Sequence, residues 1–148
     1  MISIKKDNDY VKELLKSEEG VQLDFKQSIT NQLKISKTMA AFANTTGGRL
    51  VIGISDNRQI IGIDAEEEMY MIEEANRKYI MPPIDLDYTI YAIEYLGDEK
   101  LKEELFILIV DIPESVMKPH SINGNDMNQT FYIRKGDKSM PIVDPKTI

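Results

Sequence analysis

Residues 40–63 read AAFANTTGGRLVIGISDNRQIIGI, and this stretch decides the fold. Its first part closes a helix. Asn31 can cap a helix over about residues 32–44, where Ile35, Met39 and Phe42 recur at helical spacing and Ala40, Ala41 and Ala43 allow close packing. Thr45-Thr46-Gly47-Gly48 stops it, because a glycine just past a helix end takes the left-handed conformation that reverses the chain. Gly47 or Gly48 is therefore expected at positive φ. Residues 49–55 (RLVIGIS) are a nearly continuous apolar run, which predicts a strand buried on both faces. Asp56-Asn57-Arg58 reads as a turn and residues 59–63 (QIIGI) as its hairpin partner.

Working outward, residues 21–27 (VQLDFKQ) alternate, with Val21, Leu23 and Phe25 on one side and Gln22, Asp24 and Lys26 on the other, the pattern of a half-buried strand. Residues 9–16 predict a short helix, capped by Asn8 or Asp9. On the other flank, Asp64 with Glu67 resembles a capping box that opens a helix over about 65–79, with Met69, Ile72, Ala75 and Tyr79 as its apolar stripe. Met81-Pro82-Pro83 ends it. Strands are predicted over about 85–96, 103–112 and 130–135, with a long irregular loop over 113–129. The order αβαββαβββ gives one α+β domain, a mixed β-sheet packed by about three helices.

A chain of 148 residues suffices for one self-supporting core. The absence of cysteine excludes a disulfide scaffold, a thiolate zinc site and a cysteine nucleophile. A single histidine, His120, excludes an H-E-x-x-H zinc site. No apolar run reaches the length of a membrane span, and the N-terminus lacks the apolar core of a signal peptide, so a cytoplasmic protein without membrane partners is expected. The net charge of −7 opposes non-specific nucleic-acid binding, yet it is unevenly spread. Residues 64–74 hold six acids and no base, whereas residues 26–58 hold Lys26, Lys34, Lys37, Arg49 and Arg58 against Asp56 alone. The acid run reads as the solvated face of a helix. A local basic face is compatible with the acidic total.

The segments LDFKQS (23–28), AAFANTTGGRLVIGISDNRQIIGI (40–63), KPH (118–120) and FYIRKGDKS (131–139) resemble, in this order, the Schlafen/AlbA-type domain. In that family an E-F-K strand leads to a helix ending A-F-A-N-T-x-G-G. An apolar strand ending G-[VI]-x-D follows, and later a K-P segment and a Y-[IV]-R-x-G strand. The resemblance covers roughly residues 10–140, the core of a single domain taken as residues 1–148. It implies a nucleic-acid-binding module, DNA-binding and transcriptional-regulator-like in bacteria, where a divergent AAA-type ATP-binding label also occurs. In animal Schlafen proteins, two copies form a U-shaped core that binds structured RNA and carries a metal-dependent endoribonuclease site.

The nuclease pattern uses three carboxylates, which fall here on Glu19, Asp24 and Asp56, with Glu18 as a competing first ligand. Such a cluster suits Mg²⁺ or Mn²⁺, hard cations that take oxygen ligands and keep positions for water and a phosphate oxygen. This sequence departs from the pattern at Asp24, where the family has Glu, so the carboxylate is set back by one C–C bond. Otherwise Glu19 reads as a loop acid and Asp56 as a favoured turn residue. No other cofactor is implied.

Lys26, Arg49, Arg134 and Lys135 are candidate phosphate contacts, with Tyr132 beside Arg134 as an aromatic of the kind that suits nucleic acid. His120 is a candidate phosphate contact or general acid in the long loop. Gly47-Gly48 lies between a helix and a strand, the reverse of a P-loop, and no GxxxxGK[ST] string occurs, which gives an ATP-binding reading little physical support. The reading is a nucleic-acid-binding module for DNA or RNA. Its rivals are a divalent-metal-dependent endoribonuclease using Glu19, Asp24 and Asp56, and a protein-interaction module. A symmetric homodimer is expected, with the strands carrying Lys26 and Arg134 facing a shared cleft.

Overall fold

The computed structural model describes residues 2–124 and 128–148. A mixed five-stranded sheet runs, in spatial order, β1 (Ser3–Lys5), β5 (Asp87–Leu96), β6 (Glu99–Ile112), β3 (Gly48–Ile52) and β2 (Leu23–Lys26). The outer pairs β1–β5 and β2–β3 are parallel, and the inner pairs antiparallel. A second, antiparallel sheet has the order β4 (Ile80–Met81), β7 (Ser121–Asn123), β8 (Gln129–Lys135) and β9 (Lys138–Ile142). The helices are α1 (Asn8–Leu15), α2 (Gln32–Asn44) and α3 (Ala65–Tyr79). The fold is α+β, with the predicted strands divided between two sheets. No helix among the described residues is long and apolar enough to cross a membrane.

The apolar run in β3 explains the layering. Leu50 and Ile52 point into a core built with Ile35, Met39 and Phe42 of α2, Ile72 of α3, and Leu108 and Val110 of β6. Val51 points the other way, to Val11 and Leu14 of α1, Phe25, Tyr91, Ile93 and Ile107. Each fully buried side chain of this size contributes about 1.5–3 kcal/mol. The second sheet reaches the first core through Ile122 and Tyr132, so α2 is covered by both sheets.

The turn between α2 and β3 needs both glycines, for different reasons. Gly47 has φ +74, and a Cβ there would lie 2.6 Å from the backbone nitrogen of Glu114 and 2.7 Å from the carbonyl of Ile112. Gly48 has an ordinary φ, but its Cβ would meet the Phe42 ring at 2.6 Å. Gly47→Ala is expected to cost more than about 1 kcal/mol, the ordinary penalty of left-handed backbone, because the clash is with main chain that cannot swing away. Urea unfolding measures it, and a variant as stable as the wild type would contradict the turn geometry.

Residues 59–63 do not form the expected second hairpin strand. Ile54 and Ile60 make an isolated bridge, and Gly53 (φ +113) and Gly62 (φ +84) bend the chain so that Ile61 and Gly62 both donate to the Gly53 carbonyl. Arg58, at φ +65, holds the preceding turn against α1. It donates to the carbonyls of Leu15 and Ser17, and its guanidinium lies 4.1 Å from the Phe25 ring centroid. The loop expected over 113–129 contains β7 and is pinned by Ser115, whose N–H donates to Ala43. Residues 125–127 of that loop lie outside the described residues.

Candidate nucleic-acid interface

The register of β2 on β3 decides which charges meet. Leu23 lies opposite Arg49 and Phe25 opposite Val51, and Leu23 and Phe25 belong to the α1-side core. Asp24 and Lys26 therefore face the α2 side. Arg49 faces the α1 side, where its guanidinium donates to the Tyr10 hydroxyl at 2.5 Å and Asp111 is its cross-strand neighbour. Lys26 and Arg49, both candidate phosphate contacts, therefore share no face, because the sheet separates them.

A cleft of about 590 Å³ opens on the α2 side between β2, the N-terminal half of α2 and the β8–β9 hairpin. Its described lining includes the cations Lys26, Lys34, Lys37, Arg134 and Lys138 against the acids Asp24 and Asp137. Lys34 and Lys138 are exposed, and the Lys37 ammonium sits 5.5 Å from the centroid of the Tyr132 ring. Asn31 caps α2 by accepting from the Lys34 N–H at 3.0 Å, so the positive end of the helix dipole opens beside these lysines. No residue of the acidic helix α3 is among the described residues lining the cleft. The sequence alone assigns none of Lys34, Lys37 and Lys138 to a site, although Lys34 and Lys37 belong to the base surplus of 26–58. The signal available was the i, i+3 spacing of Lys34 and Lys37 on one helix.

Arg134, expected as a surface phosphate contact, is instead the floor of this cleft, its side chain only 2% exposed. Nε donates to the Gly20 carbonyl at 2.9 Å, and the terminal nitrogens reach Ser139 Oγ at 3.2 Å, the Leu23 carbonyl at 3.5 Å and Asp24 Oδ1 at 3.8 Å. The guanidinium also rests on the Phe42 ring. With its donors engaged, it positions β8 and Asp24 and adds charge at depth. Lys135 alternates with Arg134 along β8 and is exposed, outside the cleft lining.

Asp24 is buried, paired with Lys26 Nζ at 3.2 Å and hydrogen-bonded to the Glu19 carboxyl. Burial first, then the Glu19 contact, pushes its carboxyl up to about 6, against the pull of Lys26 and Arg134. Glu19 moves down, chiefly through that same contact with Asp24, and its Oε2 accepts from the Phe25 N–H at 3.0 Å. Of the two carboxyls, Asp24 is therefore the one that takes up a proton first as pH falls. Because the folded pKa of Asp24 is raised, the unfolded state binds fewer protons between pH 4 and 6, and this contribution to stability is lost as pH rises through about 6. Buried His120 opposes it, since its lowered pKa favours the folded state as pH rises. The comparison of wild type with Asp24→Asn isolates the acid: between pH 5 and 7 the wild type is expected to lose about 1 kcal/mol relative to the variant. Parallel curves of melting temperature against pH would contradict the raised Asp24 carboxyl.

Asp56 does not join this pair. It is exposed in the turn before Arg58, and Glu18 is exposed as well. Among the described residues no group of three carboxylate or imidazole side chains is placed to hold a metal ion. Asp24 already carries two cationic partners, Lys26 and Arg134. The residues present do not fit a three-carboxylate Mg²⁺ or Mn²⁺ centre.

His120 is structural. Its ring is buried, with Nδ1 donating to the Pro82 carbonyl at 2.5 Å and Nε2 accepting from the Ser115 hydroxyl at 2.6 Å. The acid run is only partly a solvated face. Glu68 is buried and accepts from the Ile29 N–H at 2.9 Å, Glu74 accepts from Gln32, and Glu73 accepts from the Tyr88 hydroxyl.

A stretch of 52 residues is 48% identical to the uncharacterized ATP-binding protein UU034 of Ureaplasma parvum, covering 33% of this chain and 15% of that protein. The crystal structure of the DIP2311 protein from Corynebacterium diphtheriae matches 89% of this chain with a TM-score of 0.53 and 21% sequence identity, a likeness of fold alone. This chain covers 25% of that one, so it spans a minor part of the length of both proteins. The profile of the family described as Schlafen, AlbA_2 matches residues 19–143, from the loop before β2 past the end of β9. With the match running through every element that borders the cleft, this chain belongs to the Schlafen AlbA_2 family.

Proposed function

We propose that the cleft binds the phosphate backbone of nucleic acid, making this chain a small DNA- or RNA-binding module. The observation that carries the reading is the convergence of Lys26, Lys34, Lys37 and Lys138 on one cleft of a protein whose net charge is −7. With Arg134 they outnumber the two acids of the described lining, Asp24 and Asp137, a local surplus opposite in sign to the charge of the chain. Membership of the family supports a nucleic-acid-related role at the family level. The cleft forms within one chain, since β2 and β8 both border it.

The name of the Ureaplasma relative suggests a bound ATP, but Gly47-Gly48 offers no phosphate loop here. A Cβ on Gly47 would already meet main chain at 2.6 Å, which leaves no room for a ligand. The mismatch of Glu19, Asp24 and Asp56 with a metal centre likewise favours binding over hydrolysis.

The test is a salt series with labelled oligonucleotides. Affinity is expected to fall linearly in log–log form, by about 0.7 per phosphate contact for a single strand. Lys26→Ala and Lys34→Ala are each expected to weaken binding across all sequences and to flatten the slope by about 0.7. A slope indifferent to both substitutions would remove the cleft from consideration.

A further inference from the structure

We infer that the cleft takes an unpaired nucleotide of a single strand, with its phosphate over the lysines and its base in an adjoining recess walled by Tyr132. The inference rests on the phosphate-binding reading and adds what lies beside the phosphate. The recess has a volume of about 320 Å³ and shares Leu33, Lys37 and Tyr132 with the cleft as a common wall. Leu33 and Lys37 stand one turn apart on α2, and Tyr132 faces them from β8.

The chemistry changes across that wall. On the cleft side are Lys26, Lys34 and Lys138, and on the other side the described residues of the lining are the uncharged Ile122, Gly124, Asn128 and Thr130. Two cavities of about 590 and 320 Å³ fall in the range that takes small organic groups. The Tyr132 strand is fixed from behind, because the Asn44 side chain donates to the Tyr132 carbonyl at 3.0 Å. Lys37, with its ammonium 5.5 Å from the ring centroid, sits where the phosphate and base of one nucleotide would meet. A duplex offers phosphates to the lysines but keeps its bases in the stack, so it can use the cleft and not the recess. An unpaired base has a free π-face and edge for both.

The experiment measures the affinity of the full chain, at one salt concentration, for a thymidine strand, the same strand annealed to its complement, and an abasic strand of equal length. ATP is the competitor. The single strand is expected to bind at least about 5-fold more tightly than the duplex or the abasic strand, the low end of what one base–aromatic contact supplies. Tyr132→Leu is expected to weaken the thymidine strand by about 5- to 150-fold and leave the abasic strand unchanged, while Tyr132→Phe binds as the wild type. A merely structural role for Tyr132 would weaken both strands alike. Equal affinities of wild-type protein for all three nucleic acids, with the salt slope still set by Lys26 and Lys34, would overturn this inference and leave the phosphate reading standing. Displacement of the strand by ATP at matching nucleotide concentration would overturn it in favour of a free nucleotide. Affinity indifferent to salt and to the lysines would overturn both.

Discussion

Arg134→Met is expected to lower the stability of the protein by about 3–5 kcal/mol, the usual result of removing one partner from a buried charge pair. The methionine fills most of the volume and keeps contact with Phe42, so the loss isolates the polar role. Without the guanidinium, the carbonyl of Gly20 loses its 2.9 Å donor, and Asp24 keeps only Lys26 as a cation. Arg134→Lys is expected to recover less than half of the loss. A single ammonium cannot reach Gly20, Ser139, Leu23 and Asp24 at once, whereas the planar fork does. Urea midpoints measure both variants. A lysine variant as stable as the wild type would show that charge alone matters and that the fork geometry does not.

Asn44→Ala is expected to cost about 3 kcal/mol or more, because it strands buried main-chain groups at about 1–3 kcal/mol each. Asn44 ends α2, and its side chain serves three groups of the second sheet and its approach. Its Nδ2 donates to the carbonyls of His120 and Tyr132, both at 3.0 Å, and its Oδ1 accepts from the His120 N–H at 2.7 Å. Asn44→Asp is the sharper test. The carboxylate still accepts from His120 but turns an oxygen toward two carbonyls, so it is expected to be at least as damaging as alanine near neutral pH. An aspartate variant of wild-type stability would mean that the amide does not hold the sheet to the helix.

The asparagine of A-F-A-N-T was legible as a motif and not as a mechanism. What the sequence could show was local. Helices α2 and α3 span the residues their caps predict, since Asn31 and Asp64 accept from Lys34 and Glu67 within the first turn. The buried strand β3 follows from an apolar run that no half-exposed strand would carry. The short strands β1, β4, β7 and β9 were not legible, because their own patterns are weak and their partners define them. β9 contains Pro141, and all of β1 is exposed. The division into two sheets has the same origin, as alternation says that a strand has two faces and not which neighbour it pairs with.

The site was half legible for that reason. Lys26 and Arg49 look equivalent in sequence, and only the offset that sets Lys26 opposite Ile52 sends them to opposite faces. Arg134 reads as a strand-rim cation until Gly20, Leu23 and Asp24 close over it. Asp56 lies one turn from β3 in sequence, but the bends at Gly53 and Gly62 carry that turn toward α1, where Arg58 anchors it. The carboxylate cluster of the resemblance consequently reduces to the pair Glu19 and Asp24.

Phosphate is expected to bind in the cleft and not through the overall charge of the protein. Salt-dependent binding of one labelled single strand tests it most directly in two double variants of equal charge change. Lys34→Ala/Lys37→Ala empties the α2 wall of the cleft. Lys12→Ala/Lys102→Ala removes exposed cations on α1 and β6 that do not line it. The first pair is expected to lose about 1.4 units of salt slope, about 0.7 for each contact, and the second none. Equal losses in the two variants, or none in the first, would contradict the account.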